Sequence, residues 1–278
     1  MAILTSYSTR FPNYPLSPKL GERGVATCSY TQLMQVKKLN PFESFFHEFV
    51  KDFGGEVLPE AQDGCTADYF FRSQNIIAEL KTLTVDQTEE MNRKLTPRVL
   101  EWVRKNGHIP RGCIQGRERS VVFKNMPREI QIFWLNLLKA SVEGWVRDAN
   151  RQIRDTKHRM NVRSAKGMML IANGANVYHD DPDSFRRIIA EVLRKRTPTG
   201  GLRFPHINAA VYFSFDNVKG RDDGMYFWCP LQMKQTPEED TSPIATFQAE
   251  LQQGWYKYIQ KFTGIEVRQH PQAAGAGS

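Results

Sequence analysis

At 278 residues, 40% of them hydrophobic, the chain can bury a substantial core, and its length suits one large domain or two small ones, of which one is expected. No apolar run reaches the length of a membrane span, and the first residues lack the basic-then-apolar pattern of a secretory signal, so a soluble, cytoplasmic protein without a membrane partner is expected. Cys28, Cys65, Cys113 and Cys229 are far apart with no Cys-x-x-Cys, and no His-x-x-x-His or Gly-x-x-x-x-Gly-Lys occurs; a disulfide framework, a zinc hydrolase and a P-loop motor are all disfavoured.

Residues 1–30 contain Pro12, Pro15, Pro18, Gly21 and Gly24 without sustained periodicity and read as an extended arm, with the core beginning near Thr31. Over residues 41–53, Phe42, Phe45, Phe46, Phe49, Val50 and Phe53 recur at helical spacing, which predicts a helix packed along one broad face and ended by Gly54-Gly55. Glu43 sits at the margin of that stripe, in the first turn, where a carboxylate also interacts favourably with the helix N-terminus. Glu48 falls on the polar side. Residues 56–59 read as a first strand.

Ala67-Asp68-Tyr69-Phe70-Phe71 and Ile76-Ile77-Ala78-Glu79-Leu80-Lys81, separated by a polar break at residues 72–75, read as two strands joined by a tight turn. Both are apolar on both faces, the pattern of interior strands, where an unpartnered charge is costly. Side chains alternate across a strand, so Glu79 and Lys81 share a face with Ile77. Two carboxylates, Asp68 and Glu79, and one ammonium then converge at a strand edge. Such oxygen ligands suit a hard cation like Mg2+, and a nearby lysine can orient or help deprotonate a water. Glu79-Leu80-Lys81 is the only Glu-x-Lys in the chain. The only Asp-x-Lys, Asp155-Thr156-Lys157, lies in a helical pattern, where residues two apart do not face each other.

The interval at about 82–128 is long for a connection and reads as an insertion, with a helix over about 97–105 and a Gly/Arg-rich loop over 106–119. Residues 91–128 hold ten basic side chains against two acidic ones, a local excess equal to the net charge of the whole chain, +8. A basic stripe is the footprint expected of a phosphate-backbone partner, so this stretch reads as a nucleic-acid clamp built on Arg104, Lys105, Arg111, Arg117, Arg119 and Lys124. Residues 129 to about 160 are helical in pattern. Ile132, Leu135, Leu138, Val142, Trp145, Val146, Ala149 and Ile153 supply the apolar face, and Arg147, Arg151, Arg154, Lys157 and Arg159 the exposed one, from which Arg151 joins the nucleic-acid set.

Residues 167–172 form a short apolar run suited to a buried strand, followed by a turn at Asn173-Gly174. A helix over about 184–196 follows, with Phe185, Ile188, Ile189, Val192 and Leu193 at core spacing. Of His179, Asp180, Asp181 and Asp183 before it, Asp183 reads as the N-cap and the others as loop or first-turn acids rather than metal ligands. Residues 207–215 and 225–228 read as strands. Phe247, Leu251, Trp255, Tyr258, Ile259 and Phe262 mark a final amphipathic helix, and residues 270–278 a flexible tail. There is no internal repeat, and the expected domain spans residues 31–269.

The order of a glutamate-bearing helix, a strand, a strand with an aspartate and a strand ending in Glu-x-Lys resembles the PD-(D/E)XK nuclease superfamily. The resemblance covers residues 41 to about 172, most strongly 41–81. Ala67 stands where the family has proline before the aspartate, a departure that removes no ligand. The resemblance implies an α/β fold, a restriction-endonuclease-like core in which a central mixed β-sheet is flanked by helices. It also implies a Mg2+-dependent, or Mn2+-dependent, phosphodiester hydrolase, with DNA favoured over RNA. Asp68, Glu79 and the Leu80 carbonyl would hold the metal, and Lys81 would position or activate the water. Glu43 would support these groups or a second ion, and Gln152 would lie close to the metal, where nucleic acid passes. A homodimer would supply two active sites for cutting both strands of a duplex. The alternative is a nuclease-like, catalytically inactive nucleic-acid-binding protein, which needs the basic stripe but not the carboxylates.

Overall fold

The computed structural model describes residues 41–60, 66–83, 88–107, 114–115, 120–121, 126–174, 182–214, 225–236, 238–264 and 268–269. The expected arm, the core start near Thr31, the tail and the His179-Asp180-Asp181 cluster lie outside them. Helix α1 (Pro41–Asp52) closes at the glycine pair: Gly54 takes φ +90°, and the Gly55 N–H reaches back to the Val50 carbonyl at 2.8 Å. Strands β1 (Glu56–Val57), β2 (Tyr69–Phe71) and β3 (Ile76–Leu83) follow. The β2–β3 hairpin turns through one 3-10 turn and Asn75, whose φ of 53° is the left-handed conformation that asparagine tolerates.

Helix α2 (Thr88–Asn106) and a two-strand ribbon of β4 (Ile114–Gln115) and β5 (Ser120–Val121) precede the long helix α3 (Arg128–Arg159). Then come β6 (Lys166–Asn173), α4 (Pro182–Leu193), β7 (Ala209–Ser214), β8 (Met225–Tyr226), β9 (Trp228–Gln232), α5 (Ser242–Thr263) and β10 (Arg268–Gln269), the last paired in parallel with β8.

The main sheet has the order β1-β2-β3-β6-β7-β9, with β3, β6 and β7 parallel and the other pairs antiparallel. The fold is therefore α/β, a six-stranded mixed open sheet flanked by helices. Its central strands are apolar on both faces because both are covered. Alternate residues divide cleanly. Ile77, Met169, Ile171, Ala210 and Tyr212 pack with α3 and α4, whereas Ile76, Ala78, Leu80, Met168, Leu170, Val211 and Phe213 pack with α1 and α5. On the second face Phe46 and Phe49 of α1 each meet Trp255 of α5 with ring centroids 5.1 Å apart, the first tilted and the second edge-on, contacts that help to fix where α1 lies. Among the described residues no helix is long and apolar enough to cross a membrane.

Several expectations change. Helix α2 begins well before Pro97, which lies inside it. The residues upstream are mostly good helix formers, tied by a Lys94–Glu90 pair at 2.6 Å, and they carry the helix through the proline. On α3 the buried stripe runs Ile130, Trp134, Leu138, Val142, Val146, Ala149 and Ile153, while Ile132 and Leu135 are 48% and 43% exposed. The same stripe, continued by one turn, reaches Lys157. This lysine is buried at 6% exposure rather than solvated, and its Nζ donates to the His206 carbonyl at 3.4 Å. Burial lowers its pKa to about 8, with the Lys166 charge adding to the effect. Helix α4 starts at Pro182, a favoured first helical residue, so Asp183 lies in the first turn and is not its N-cap. The strand expected at 225–228 is split between β8 and β9, and only β9 joins the main sheet.

Candidate active site

Strand β3 outruns its neighbour. The β2 pairing ends at Tyr69 opposite Ala78, yet β3 continues to Leu83, so among the described residues one edge of residues 79–83 has no strand partner on that side. Asp68, just before β2, fills the first vacant rung with its side chain: Leu80 N–H donates to Asp68 Oδ2 at 2.7 Å. A residue's N–H and C=O leave an extended strand on the same side, so the Leu80 carbonyl faces the same open edge as Asp68. Asp68 itself is held by its own carbonyl, which accepts from Leu58 N at 2.8 Å.

A cleft of about 490 Å3 opens at this edge, and Glu43, Asp68, Glu79, Leu80, Lys81 and Gln152 all line it. Glu79 and Lys81 lie on the α3 side of the sheet. Lys81 Nζ donates to Glu79 Oε1 at 2.6 Å and to Gln152 Oε1 at 2.9 Å. The Gln152 amide is engaged at its other end too, its Nε2 donating to the Thr66 carbonyl at 3.3 Å. On the α1 side Thr82 Oγ1 donates to Glu43 Oε1 at 2.9 Å. The glutamate in the first turn of α1 therefore reaches the strand that carries the Glu-x-Lys.

The charges are arranged against their own ionisation. Glu79 is 2% exposed; burial and the nearby negative charge of Asp68 push its carboxyl up to about 8, with Lys81 opposing the shift. Burial also raises Asp68, opposed by the Leu80 N–H and by Lys81. Glu79 Oε2 is buried and receives no hydrogen bond, although its carboxyl and that of Asp68 are close enough to bond once one of them carries a proton. Two ionised carboxylates offer only acceptors, so a proton or a cation must sit between them.

Besides Thr82 and the cleft-lining Glu60 and Thr66, sequence reasoning missed three side chains here. His47 lines the cleft one turn after Glu43, the spacing that puts both on one helix face, and burial lowers its pKa against the pull of Asp68 and Glu43. Its ring meets Tyr69 edge-on at 5.5 Å. Tyr69 is fully buried with an unpartnered hydroxyl, held well above the usual tyrosine range by burial and by the carboxylates Asp68, Glu43 and Glu79. The third, Thr156 of α3, accepts a hydrogen bond from Ala67 N at 2.8 Å. Only the Glu43 to His47 spacing offered a signal in the sequence.

The basic residues are placed differently. Arg104 and Lys105 occupy the last turn of α2 and Arg151 an exposed position on α3, 3.9 Å from Asp148; none of the three lines the cleft. Arg111, Arg117, Arg119 and Lys124 lie outside the described residues.

Among the described residues no three His, Cys, Asp or Glu side chains converge to form a metal cage. The donors at the edge are two carboxylates and one backbone carbonyl. That set fits Mg2+, which keeps several waters and needs only one or two protein carboxylates, and the orphaned Glu79 Oε2 is an oxygen such an ion would satisfy. Comparisons of the chain with protein families, with curated proteins and with solved structures gave no match.

Proposed function

We propose that this protein is a metal-dependent nuclease with a restriction-endonuclease-like core, hydrolysing phosphodiester bonds of DNA in preference to RNA. The observation that carries this reading is the meeting of Asp68, Glu79 and Lys81 at the open edge of β3, with Glu79 Oε2 buried and lacking a donor. Mg2+ or Mn2+ bound by Asp68, Glu79 and the Leu80 carbonyl would act as a Lewis acid and lower the pKa of a bound water.

The chain's own groups do the rest. The Lys81 ammonium has three N–H bonds, of which Glu79 and Gln152 take two, leaving one for a water or a phosphate oxygen. Glu43, held by Thr82, adds a carboxylate at the α1 side of the cleft, where it can accept from a water or support a second ion. The cationic end of α2 and Arg151 suit the phosphate backbone away from the scissile bond. Cutting both strands of a duplex would draw on two copies of the chain.

The test compares wild type with Lys81→Ala and Asp68→Asn on plasmid, single-stranded DNA and RNA, with Mg2+, Mn2+ or EDTA. Wild type is expected to cleave DNA with either metal and to be silent in EDTA, and both variants to lose about 100-fold or more in rate. If wild type degrades nothing, or if Lys81→Ala is as active, the enzyme reading fails and a nucleic-acid-binding protein takes its place.

A further inference from the structure

Residues 66–68, which bring Asp68 to the edge of β3, belong to no helix or strand, so their position has to come from elsewhere. Two side chains of α3, one helical turn apart, hold the backbone immediately before it. Gln152 Nε2 donates to the Thr66 carbonyl at 3.3 Å, and Thr156 Oγ1 accepts from Ala67 N–H at 2.8 Å. Residues four apart on a helix lie on one face, so this is a two-point grip on consecutive residues. Gln152 also receives Lys81, whereas Thr156 does not line the cleft and its hydroxyl bonds to no ionisable side chain among the described residues. It is fully buried in a stripe otherwise filled by Val146, Ala149 and Ile153. A threonine hydroxyl there does nothing for packing that valine would not do. Its one evident task is the Ala67 N–H, which is buried with it.

We infer that Thr156 is a positioning residue: by holding Ala67 it sets Asp68 against Leu80 N–H and beside Glu79, and so determines the geometry of the carboxylate pair from outside the cleft. Its consequence for catalysis rests on the nuclease reading above; its effect on Asp68 does not. Without the hydroxyl, the Ala67 N–H loses its acceptor on α3, and the Asp68 carboxylate is freer to swing off the Leu80 amide.

Thr156→Val keeps the volume and removes the acceptor, and Thr156→Ser restores the acceptor. Amide hydrogen exchange is measured at Leu80 and, as a reference in the middle of the sheet, at Val211. In Thr156→Val the Leu80 amide is expected to exchange at least about tenfold faster relative to Val211, and in Thr156→Ser to stay within about twofold of wild type. In steady-state DNA cleavage Thr156→Val is expected to lose about tenfold in kcat with KM within about twofold, again rescued by serine. Unchanged relative exchange at Leu80 in Thr156→Val, or a serine variant as fast as the valine one, would overturn the inference. A wild-type protein that cleaves nothing would remove the nuclease reading alone, because the exchange ratio still decides what Thr156 does.

Discussion

Replacing Glu79 by glutamine should make the metal-free protein more tolerant of alkali while destroying its chemistry. In the folded protein this carboxyl is pushed from 4.5 to about 8, first by burial and then by Asp68. In the unfolded chain it ionises at its ordinary value. Between those two values the unfolded state holds fewer protons than the folded state, so stability falls as pH rises through the window. Below it, both states are protonated and there is no penalty. A separation of about 3.5 units, from 4.5 to about 8, corresponds to about 5 kcal/mol lost by pH 8. Against a typical total of roughly 5–15 kcal/mol, that is a large share. Urea unfolding in EDTA from pH 5 to 8.5 should show wild type falling by about this amount relative to Glu79→Gln, which keeps an oxygen for Lys81 but has nothing to ionise. Saturating Mg2+ should restore wild type at high pH and leave the variant unmoved. Parallel curves for the two proteins, within about 1 kcal/mol over that range, would refute the assignment of a strongly raised pKa to Glu79.

Three further outcomes are expected. Thr82→Val removes the hydroxyl that donates to Glu43 and should cost about 1 kcal/mol by urea unfolding, with cleavage several-fold slower and serine restoring both. Gly167→Ala would set a Cβ 1.9 Å from the His206 carbonyl oxygen and 2.8 Å from Ile153 Cγ2, so it should lose about 3 kcal/mol or more; a wild-type melting curve would contradict this packing. The double variant Arg104→Ala, Lys105→Ala should lower the slope of log K against log salt by about 2 in fluorescence anisotropy with duplex DNA, and an unchanged slope would place the phosphate contacts elsewhere.

Much of the fold is legible because its signals are local. The phenylalanine stripe of α1 declares a helix by its period, and the short apolar runs at residues 67–71, 76–81 and 167–172, bounded by turn residues, declare the strands found at Tyr69–Phe71, Ile76–Leu83 and Lys166–Asn173. Alternation along β3 likewise places Glu79 and Lys81 on one face, and they are bonded there. What was not legible depends on distant partners. The Lys81–Gln152 and Ala67–Thr156 bonds join residues 71 and 89 positions apart, and nothing in either neighbourhood announces them. Lys157 was misplaced because a lysine on a helix is ordinarily solvated, whereas the turn-by-turn drift of the buried stripe carries this one inward. The basic stretch after β3 reads as adjacent to the carboxylates because it follows them in the chain, yet its described members are spread along α2 and at the start of α3, with Arg104 and Lys105 in the last turn of α2, and none of them lines the cleft.

The carboxylates, the lysine and the glutamine at the cleft include those from positions 43, 68, 79, 81 and 152, and the last belongs to a helix completed only after more than half of the 278 residues have been made. Until that helix docks, Lys81 has Glu79 for company but not the Gln152 amide to fix its direction, and the Ala67 N–H lacks the Thr156 hydroxyl. A nascent chain thus carries the carboxylates Glu43, Asp68 and Glu79 early and acquires their alignment late. A site built this way would stay unassembled until α3 has been made and has docked.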